Sequence, residues 1–242
     1  MDRMDKLIAD RLCISRREAG VLLRKGAVLV NGRQVKGADY RCRPEDQVEV
    51  GGQRLELSPK AYIMLNKPAG VISATTDRHC GTVLDILPAG LRRKGLFPAG
   101  RLDKDTLGLV LITDDGGFVH RLTAPKNKIP KIYHVRLDAP IPLEEVASAF
   151  SLGIGLGGGD QASPARLHAL EEGETPLLEL TIYEGIYHQV KRMFDRFRRE
   201  VVYLKRVKIG GLPLDASLEP GDTKALTPAQ AWAVFGDTDG AD

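Results

Sequence analysis

The chain is organised around the segment FPAGRLDKDTLGLVLITDDG, residues 97–116. Its middle part, GRLDKD at 100–105, has the glycine and the charged residues typical of a loop. An apolar run of strand length follows at 107–113, and DDGG at 114–117 ends it with turn residues. A carboxylate on a loop that a buried strand holds is a common catalytic arrangement. From these residues alone, a solvated surface loop is an equally good interpretation.

The composition is that of a globular protein with one or two domains. The chain has 242 residues, of which 43% are hydrophobic and 28% charged. No apolar run approaches the roughly 20 residues that span a membrane, and the charged N-terminus does not resemble a signal peptide. The three cysteines, Cys13, Cys42 and Cys80, form no CxxC motif. We therefore expect unpaired thiols, a reducing cytoplasm and no membrane.

The net charge of +3 is unevenly distributed along the chain. Residues 1–59 carry 12 basic against nine acidic side chains, and residues 184–208 carry eight against three. The remainder is acidic on balance. Two concentrations of positive charge favour a polyanionic partner, although each one taken alone could be a solvated face.

Residues 1–59 have the pattern of a small helix–helix–hairpin domain, followed by a linker at 54–60. A helix is predicted over residues 2–12, and SRRE at 15–18 is a capping box that opens a second helix. VLVNGRQV at 28–35 is a strong hairpin signal. Arg16 and Arg17 stand at a helix start, where the helix dipole disfavours cations unless phosphates also bind there.

This N-terminal part resembles the S-four-like RNA-binding domain. The resemblance rests on RMDKL at 3–7, SRREA at 15–19, GAV at 26–28 and VNG at 30–32. It implies binding of structured RNA by residues 1–59, with contacts from the basic side chains Arg16, Arg17, Arg24 and Lys25.

Residues 60–242 are predicted to form a second, α+β domain. Strand patterns outnumber helix patterns and do not alternate with them regularly, which favours a mixed, mainly antiparallel sheet with flanking helices. A basic helix is predicted over 187–197. GIGLGG at 153–158 contains GxGxxG but opens no helix, so it indicates a flexible loop and no nucleotide site. The histidines and cysteines show no metal-ligand spacing, and we expect no metal.

Four segments of this second domain resemble, in order, the motifs of pseudouridine synthases. They are LNKPAGVISA at 65–74, GRLDKDTLGLVLITDDG at 100–116, KIYHVRL at 131–137 and EGIYHQVKRMF at 184–194. Together with the N-terminal domain, they are most similar to the RsuA type, the bacterial small-subunit (16S) ribosomal RNA pseudouridine synthases. Ile186 departs from the basic residue usual at that position.

The resemblance implies that a uridine in RNA is isomerised by breaking its glycosidic bond and rejoining the base through carbon, without a cofactor. Asp103 matches the nucleophile, and Tyr133 matches the tyrosine that stacks on the flipped base. Lys191 matches the cation that keeps the aspartate ionised and placed. Arg101 matches the arginine that fills the space left by the flipped nucleotide. Further contacts with RNA or the nucleoside are expected from Lys67, Val190 and Arg192.

Three alternatives stay open on the residues. Asp103 with Asp105 could be the carboxylate pair of a glycoside hydrolase. A non-catalytic RNA-binding or ribosome-assembly protein would keep both basic regions without needing Asp103. A relative acting on large-subunit (23S) RNA would share the catalytic motif. YHQVKRMF at 187–194 and the acidic end at 236–242 favour the small-subunit target. The expected partner is ribosomal RNA or a small-subunit assembly intermediate, bound by a monomer.

Overall fold

The computed structural model describes residues 2–12, 14–43, 46–55 and 60–236. It divides into two compact units. Unit 1 comprises residues 1–60 with 115–117, and unit 2 comprises residues 61–114 and 118–242. Cys13, most of the predicted linker (56–59) and nearly all of the acidic end (237–242) lie outside the described residues. Within the described ranges, no helix is both long and apolar enough to cross a membrane.

The described residues of unit 1 form two helices and six short strands. Four of the strands form an antiparallel sheet in the order β3-β2-β5-β6, and β1 pairs with β4. The elements are β1 (Asp2–Arg3), α1 (Met4–Leu12), α2 (Arg16–Arg24), β2 (Val28–Val30), β3 (Arg33–Gln34), β4 (Arg41–Cys42), β5 (Val48–Val50) and β6 (Gln53–Leu55).

Local sequence signals account for most of unit 1. The predicted capping box is present: the Ser15 hydroxyl accepts the Glu18 amide, and the Glu18 carboxylate accepts the Ser15 amide. Asn31 and Gly32 turn the hairpin with φ of 50° and 77°, the left-handed pair of a type I′ turn. The first helix begins at Met4, two residues later than predicted, because residues 2–3 pair with β4.

Unit 2 is built on one nine-stranded sheet, with β11 and β12 forming a separate hairpin. Its elements are β7 (Tyr62–Lys67), β8 (Phe97–Pro98), β9 (Leu107–Thr113), α3 (Gly116–Thr123), β10 (Lys131–Leu137), α4 (Leu143–Leu152), β11 (Ile154–Gly157), β12 (Asp160–Ala162), β13 (Arg166–Glu171), β14 (Leu177–Ile182), α5 (Gln189–Asp195), β15 (Val201–Ile209), β16 (Leu212–Pro213), β17 (Thr223–Ala225) and α6 (Pro228–Trp232).

The sheet is mixed and mainly antiparallel, as predicted. Its main path runs β13-β14-β10-β15-β9-β7-β17, and β15 with β9 is its parallel pair. Alternate residues of β7 and β9 belong to two different hydrophobic cores. Ile63 and Val110 lie in one core, and their neighbours Met64 and Leu111 lie in the other. Because side chains alternate along a strand, both faces of the sheet are covered at its centre. This explains why β9 is an uninterrupted apolar run.

Gly108 allows the close approach of β9 and β15. Its φ is +102°, and a Cβ there would overlap the backbone of Arg206, its register partner. A side chain at position 108 would therefore push β15 away from β9, the strand that follows the Asp103 loop.

Two sequence predictions in unit 2 were wrong in detail. The glycine-rich segment does not form an irregular loop: β11 pairs with β12, and Gly157, Gly158 and Gly159 take up the turn with positive φ. The basic helix begins at Gln189 and ends at Asp195, shorter than the predicted 187–197. His188 has a left-handed backbone, φ 50°, which interrupts helical geometry before Gln189.

Candidate active site

The loop between β8 and β9 carries Asp103 on a backbone fixed from both sides. The Ser73 hydroxyl accepts the Leu102 amide at 3.0 Å and donates to the Leu102 carbonyl at 3.2 Å. On the other side, the Gly70 amide donates to the Lys104 carbonyl at 2.9 Å. These bonds hold the backbone around Asp103, so its half-buried carboxylate is presented by a preorganised loop.

Lys67, for which an RNA contact is predicted, lies at the end of β7 with its ammonium against this loop. Its side chain has no exposed surface. Its Nζ donates to the carbonyls of Pro68 at 2.9 Å, Lys104 at 3.1 Å and Thr106 at 2.9 Å. Burial lowers the pKa of Lys67 to about 8, against the opposing effect of Asp105 and Asp103. The ammonium therefore fastens the end of β7 to the Asp103 loop.

The side chains of Lys191 and His188 face Asp103. Lys191 Nζ lies 4.0 Å from Asp103 Oδ2, and His188 Nε2 lies 3.7 Å from Asp103 Oδ1. The shorter contacts of Lys191 are with Asp105, at 2.7 Å and 2.6 Å to its two carboxylate oxygens. Hydrogen bonding from Lys191 lowers the pKa of Asp105. One lysine thus serves two carboxylates, and the stronger contact is with the more exposed one.

Tyr133 is buried in β10 with Arg206 opposite it on β15. Tyr133 is 6% exposed and Arg206 is 3% exposed. Arg206 Nε donates to the Leu109 carbonyl at 2.8 Å, and its Nη1 lies 3.5 Å from the Tyr133 hydroxyl. Its Nη2 has no hydrogen-bond partner within the described part of the chain. The guanidinium therefore links the tyrosine on β10 to the backbone of β9, the strand that follows the Asp103 loop.

A pocket of about 420 Å³ brings together five of the predicted site residues. Its size is within the range of small-molecule sites. The five that line it are Arg101, Asp103, Tyr133, Val190 and Lys191. Ser73, Tyr187, His188 and Gln189 also line it, although the sequence reasoning gave them no site role.

Arg192 is engaged within unit 2. Its Nη1 lies 2.8 Å from Asp160 Oδ2 and donates to the Tyr187 carbonyl at 3.1 Å. Its Nη2 donates to the Gly157 carbonyl at 2.9 Å. Arg192 thus links α5 to the β11–β12 hairpin, and the RNA contact predicted for it stays a prediction.

The predicted basic side chains of unit 1 are all exposed. Arg16 and Arg17 occupy the first turn of α2, Arg24 its last turn, and Lys25 caps its C-terminus. Among the described residues, no hydrogen bond or ion pair holds the charged groups of Arg17, Arg24 or Lys25. These cations are accessible to a polyanion.

The groups that sequence reasoning missed differ in how they could have been found. His188 lies inside the quoted motif at 184–194, two positions before Val190, and Asp105 was considered only as half of a carboxylate pair with Asp103. Arg206 was counted only as one charge of the basic region 184–208. An arginine at an inward position of an alternating strand is the signal that would have identified it. The described residues contain no cluster of three or more His, Cys, Asp or Glu side chains suited to a metal ion.

Two protein families match separate parts of the chain. Residues 61–196 match the family described as RNA pseudouridylate synthase, and residues 2–48 match the S4 domain. An uncharacterized RNA pseudouridine synthase of Bacillus subtilis is 42% identical over 228 residues, covering 93% of this chain and 95% of the relative.

Two further matches extend over almost the whole chain. Ribosomal small subunit pseudouridine synthase A of Escherichia coli strain K12 is 42% identical over 235 residues, covering 96% of this chain and 99% of that protein. A crystal structure of a pseudouridylate synthase has a TM-score of 0.67 at 38% identity, covering 97% of this chain and 100% of that one.

Proposed function

Since this chain belongs to the RNA pseudouridylate synthase family, we propose that it converts one uridine of small-subunit ribosomal RNA to pseudouridine. The family supports the reaction, and the identity of 42% with the Escherichia coli small-subunit enzyme supports the target. The observation that carries the proposal is the pocket in which Asp103, Tyr133 and Lys191 meet.

The reaction is an isomerisation, so it needs no oxidant, reductant or energy source. The bond from N1 of the base to C1′ of the ribose breaks, and a bond from C5 to C1′ forms. One proton leaves C5 and one is gained at N1. The enzyme therefore has to bind the nucleotide out of the RNA stack, supply a nucleophile and keep the detached base in place.

Asp103 is the nucleophile of this proposal. Its carboxylate attacks C1′ of the ribose as the N1–C1′ bond breaks, and the Asp103–C1′ bond breaks in turn when C5 bonds to C1′. Lys191 stabilises its negative charge from 4.0 Å, and the His188 imidazole lies 3.7 Å from the same carboxylate. Asp105 holds Lys191 in that position through its shorter contacts. Ser73 and Lys67 hold the backbone that carries the nucleophile.

The remaining pocket residues bind the nucleotide. Tyr133 stacks on the flipped uracil, and Arg206 fixes the orientation of the tyrosine through its hydroxyl. Val190, which is buried, forms an apolar wall beside the base. Arg101 is exposed at the mouth of the pocket, where it can occupy the space that the flipped nucleotide leaves.

We assign placement on the RNA to residues 1–59 and catalysis to residues 60–242. The match to the S4 domain and the accessible cations of α2 support the first assignment. In this proposal the protein works as a cytoplasmic monomer on ribosomal RNA or on a partly assembled small subunit.

The test is to incubate the purified protein with small-subunit and large-subunit transcripts, each also supplied as partly assembled particles. Pseudouridine has the same mass as uridine, so it is mapped by chemical adducts that stop primer extension. We expect one stop, in small-subunit RNA only. Modification confined to large-subunit samples would refute the target but not the reaction, and no modification in any sample would refute both.

A further inference from the structure

Tyr187 is an exposed aromatic side chain at the pocket mouth. It is 75% exposed, although it lines the same pocket as Asp103. Its ring stacks on the imidazole of His188, with ring centroids 3.8 Å apart and an angle of 17° between the planes. One face of Tyr187 is therefore covered by His188, and the large exposed area leaves the opposite face open.

The backbone that carries this stacked pair is held in place. Arg192 donates to the Tyr187 carbonyl at 3.1 Å, and the Gln189 side chain accepts the Ile186 amide at 3.0 Å. Buried Gln189 in turn donates to Glu184 at 3.0 Å, and Glu184 accepts the Ser163 amide at 2.7 Å. A flat, open ring on a fixed backbone loses little conformational entropy when a ligand stacks on it.

The pair is also connected to the catalytic carboxylate. His188 Nε2 lies 3.7 Å from Asp103 Oδ1, so the same imidazole contacts Tyr187 on its face and Asp103 at its edge. His188 has a left-handed backbone, with φ of 50°, and both rings line the pocket. A ligand on the open face of Tyr187 would therefore lie beside a nucleotide bound at Asp103.

We propose that the Tyr187–His188 pair is a second base-binding site, on which the base of a nucleotide next to the target uridine stacks. This inference rests on the function proposed above, since the bound chain is the RNA whose uridine enters the pocket. Aromatic rings bind unstacked RNA bases in this way with little dependence on base identity. The site selects a flanking nucleotide that is unpaired, so it favours a target uridine in a loop or bulge.

The experiment uses the RNA fragment around whichever uridine the wild-type protein modifies. Single abasic nucleotides are placed at each of the two positions before and after that uridine, and kcat/KM is measured for each RNA. Wild type should lose roughly 5- to 150-fold at one flanking position, the range that base–aromatic stacking supplies. Tyr187→Ala should lose the same factor on intact RNA and no further factor on that abasic RNA.

Two control variants separate stacking from other effects. Tyr187→Phe keeps the ring and should stay within about twofold of wild type on intact RNA, because the hydroxyl is not needed for stacking. Leu152→Ala removes an apolar side chain that is 80% exposed and does not line the pocket, and it should match wild type on every RNA.

The inference would be overturned if Tyr187→Ala on each abasic RNA lost kcat/KM by the product of the two separate factors. The ring and the flanking base would then act independently. A Tyr187→Ala protein as active as wild type on intact RNA would overturn it as well. In both cases wild type still modifies its uridine, so the proposed function stands. If wild type modifies no uridine in any RNA, the proposed function and this inference fail together.

Discussion

Helix α2 of unit 1 and residues 184–208 of unit 2 are both basic in sequence, but their cations have different surroundings. In α2, Arg17 and Arg24 project into solvent without a described ion pair. In unit 2, Lys191 contacts Asp105, Arg192 contacts Asp160 and backbone carbonyls, and Arg206 is buried next to Tyr133, whereas Arg196 and Arg198 are exposed. Local excess of charge is therefore a good indicator of RNA binding only where the charges are accessible.

The two kinds of cation should also contribute to different properties, the accessible ones to RNA affinity and the hydrogen-bonded ones to the rate of the reaction. Accessible cations bind phosphate through a salt-sensitive, sequence-independent term. Cations that are already hydrogen-bonded hold other groups in position, and positioning affects kcat more than binding. If this division is right, variants in the two regions should affect different measurements.

The largest effect is expected from Asp103→Asn. The amide cannot act as the nucleophile, so kcat should fall on the order of 10⁴-fold or more, while RNA affinity stays within about threefold. Binding by filter retention and turnover by adduct mapping measure the two separately. Asp195→Asn, which changes an exposed acid on α5, is the matched control and should be fully active. Near-normal turnover by Asp103→Asn would contradict the mechanism.

The second largest effect is expected from removing the exposed cations of α2. Replacing Arg17, Arg24 and Lys25 by Gln should weaken RNA affinity roughly 10- to 100-fold near 0.15 M salt. The slope of log affinity against log salt should fall by about 2 to 3, because three phosphate contacts are lost. The rate at saturating RNA should not change. A control in unit 2 removes the same charge from the exposed Lys94, Lys126 and Lys128. An equal loss in both proteins would mean that net charge matters and α2 does not.

The sequence predicted the elements whose signals are local. The capping box at Ser15, the Asn31–Gly32 hairpin and the apolar strand β9 depend on side chains close together in the chain, and each is present. The mixed sheet was also predicted, since strand patterns did not alternate with helices. The boundary of α5 was missed because it depends on the backbone angle of one residue, His188.

Long-range contacts limited what could be predicted at the site. Lys67 and Lys104 are 37 positions apart, and nothing in LNKPAG shows that the ammonium lies inside unit 2 against the loop carbonyls. Similarly, the charge of Arg192 is visible in the sequence but its contact with Asp160 is not. Residue type gave the candidates, and only the tertiary structure separates accessible cations from engaged ones.

A third prediction concerns the buried cation Lys67 and the pH dependence of its contribution to stability. Burial lowers the pKa of Lys67 to about 8, whereas an unfolded lysine has a pKa near 10.4. Between these two pH values the unfolded chain binds more protons than the folded one, so the contribution of Lys67 to stability rises as pH increases. The unfolding free energy of wild type minus that of Lys67→Met should therefore increase from pH 7.5 to 10, by up to about 3 kcal/mol.

Urea unfolding of both proteins across that range measures this difference. Lys131, whose pKa burial also lowers to about 8, titrates in both proteins and cancels in the subtraction. A difference that stays constant with pH would mean that the three carbonyls keep Lys67 protonated throughout, since each of them favours the charged ammonium.

The smallest effect is expected from Arg192→Gln, which removes a cation that already has hydrogen-bond partners in unit 2. Glutamine cannot reach Asp160, Gly157 and Tyr187 together, so the tie between α5 and the β11–β12 hairpin is lost. Because Asp160 is half exposed, the loss in unfolding free energy should be only about 1 kcal/mol. The salt slope of RNA binding should not change, since Arg192 releases no counterion. Arg196→Gln, at an exposed arginine one position beyond α5, should leave stability unchanged. If Arg192→Gln lowers the salt slope by about one while stability is unchanged, Arg192 contacts phosphate, and the two basic regions are alike after all.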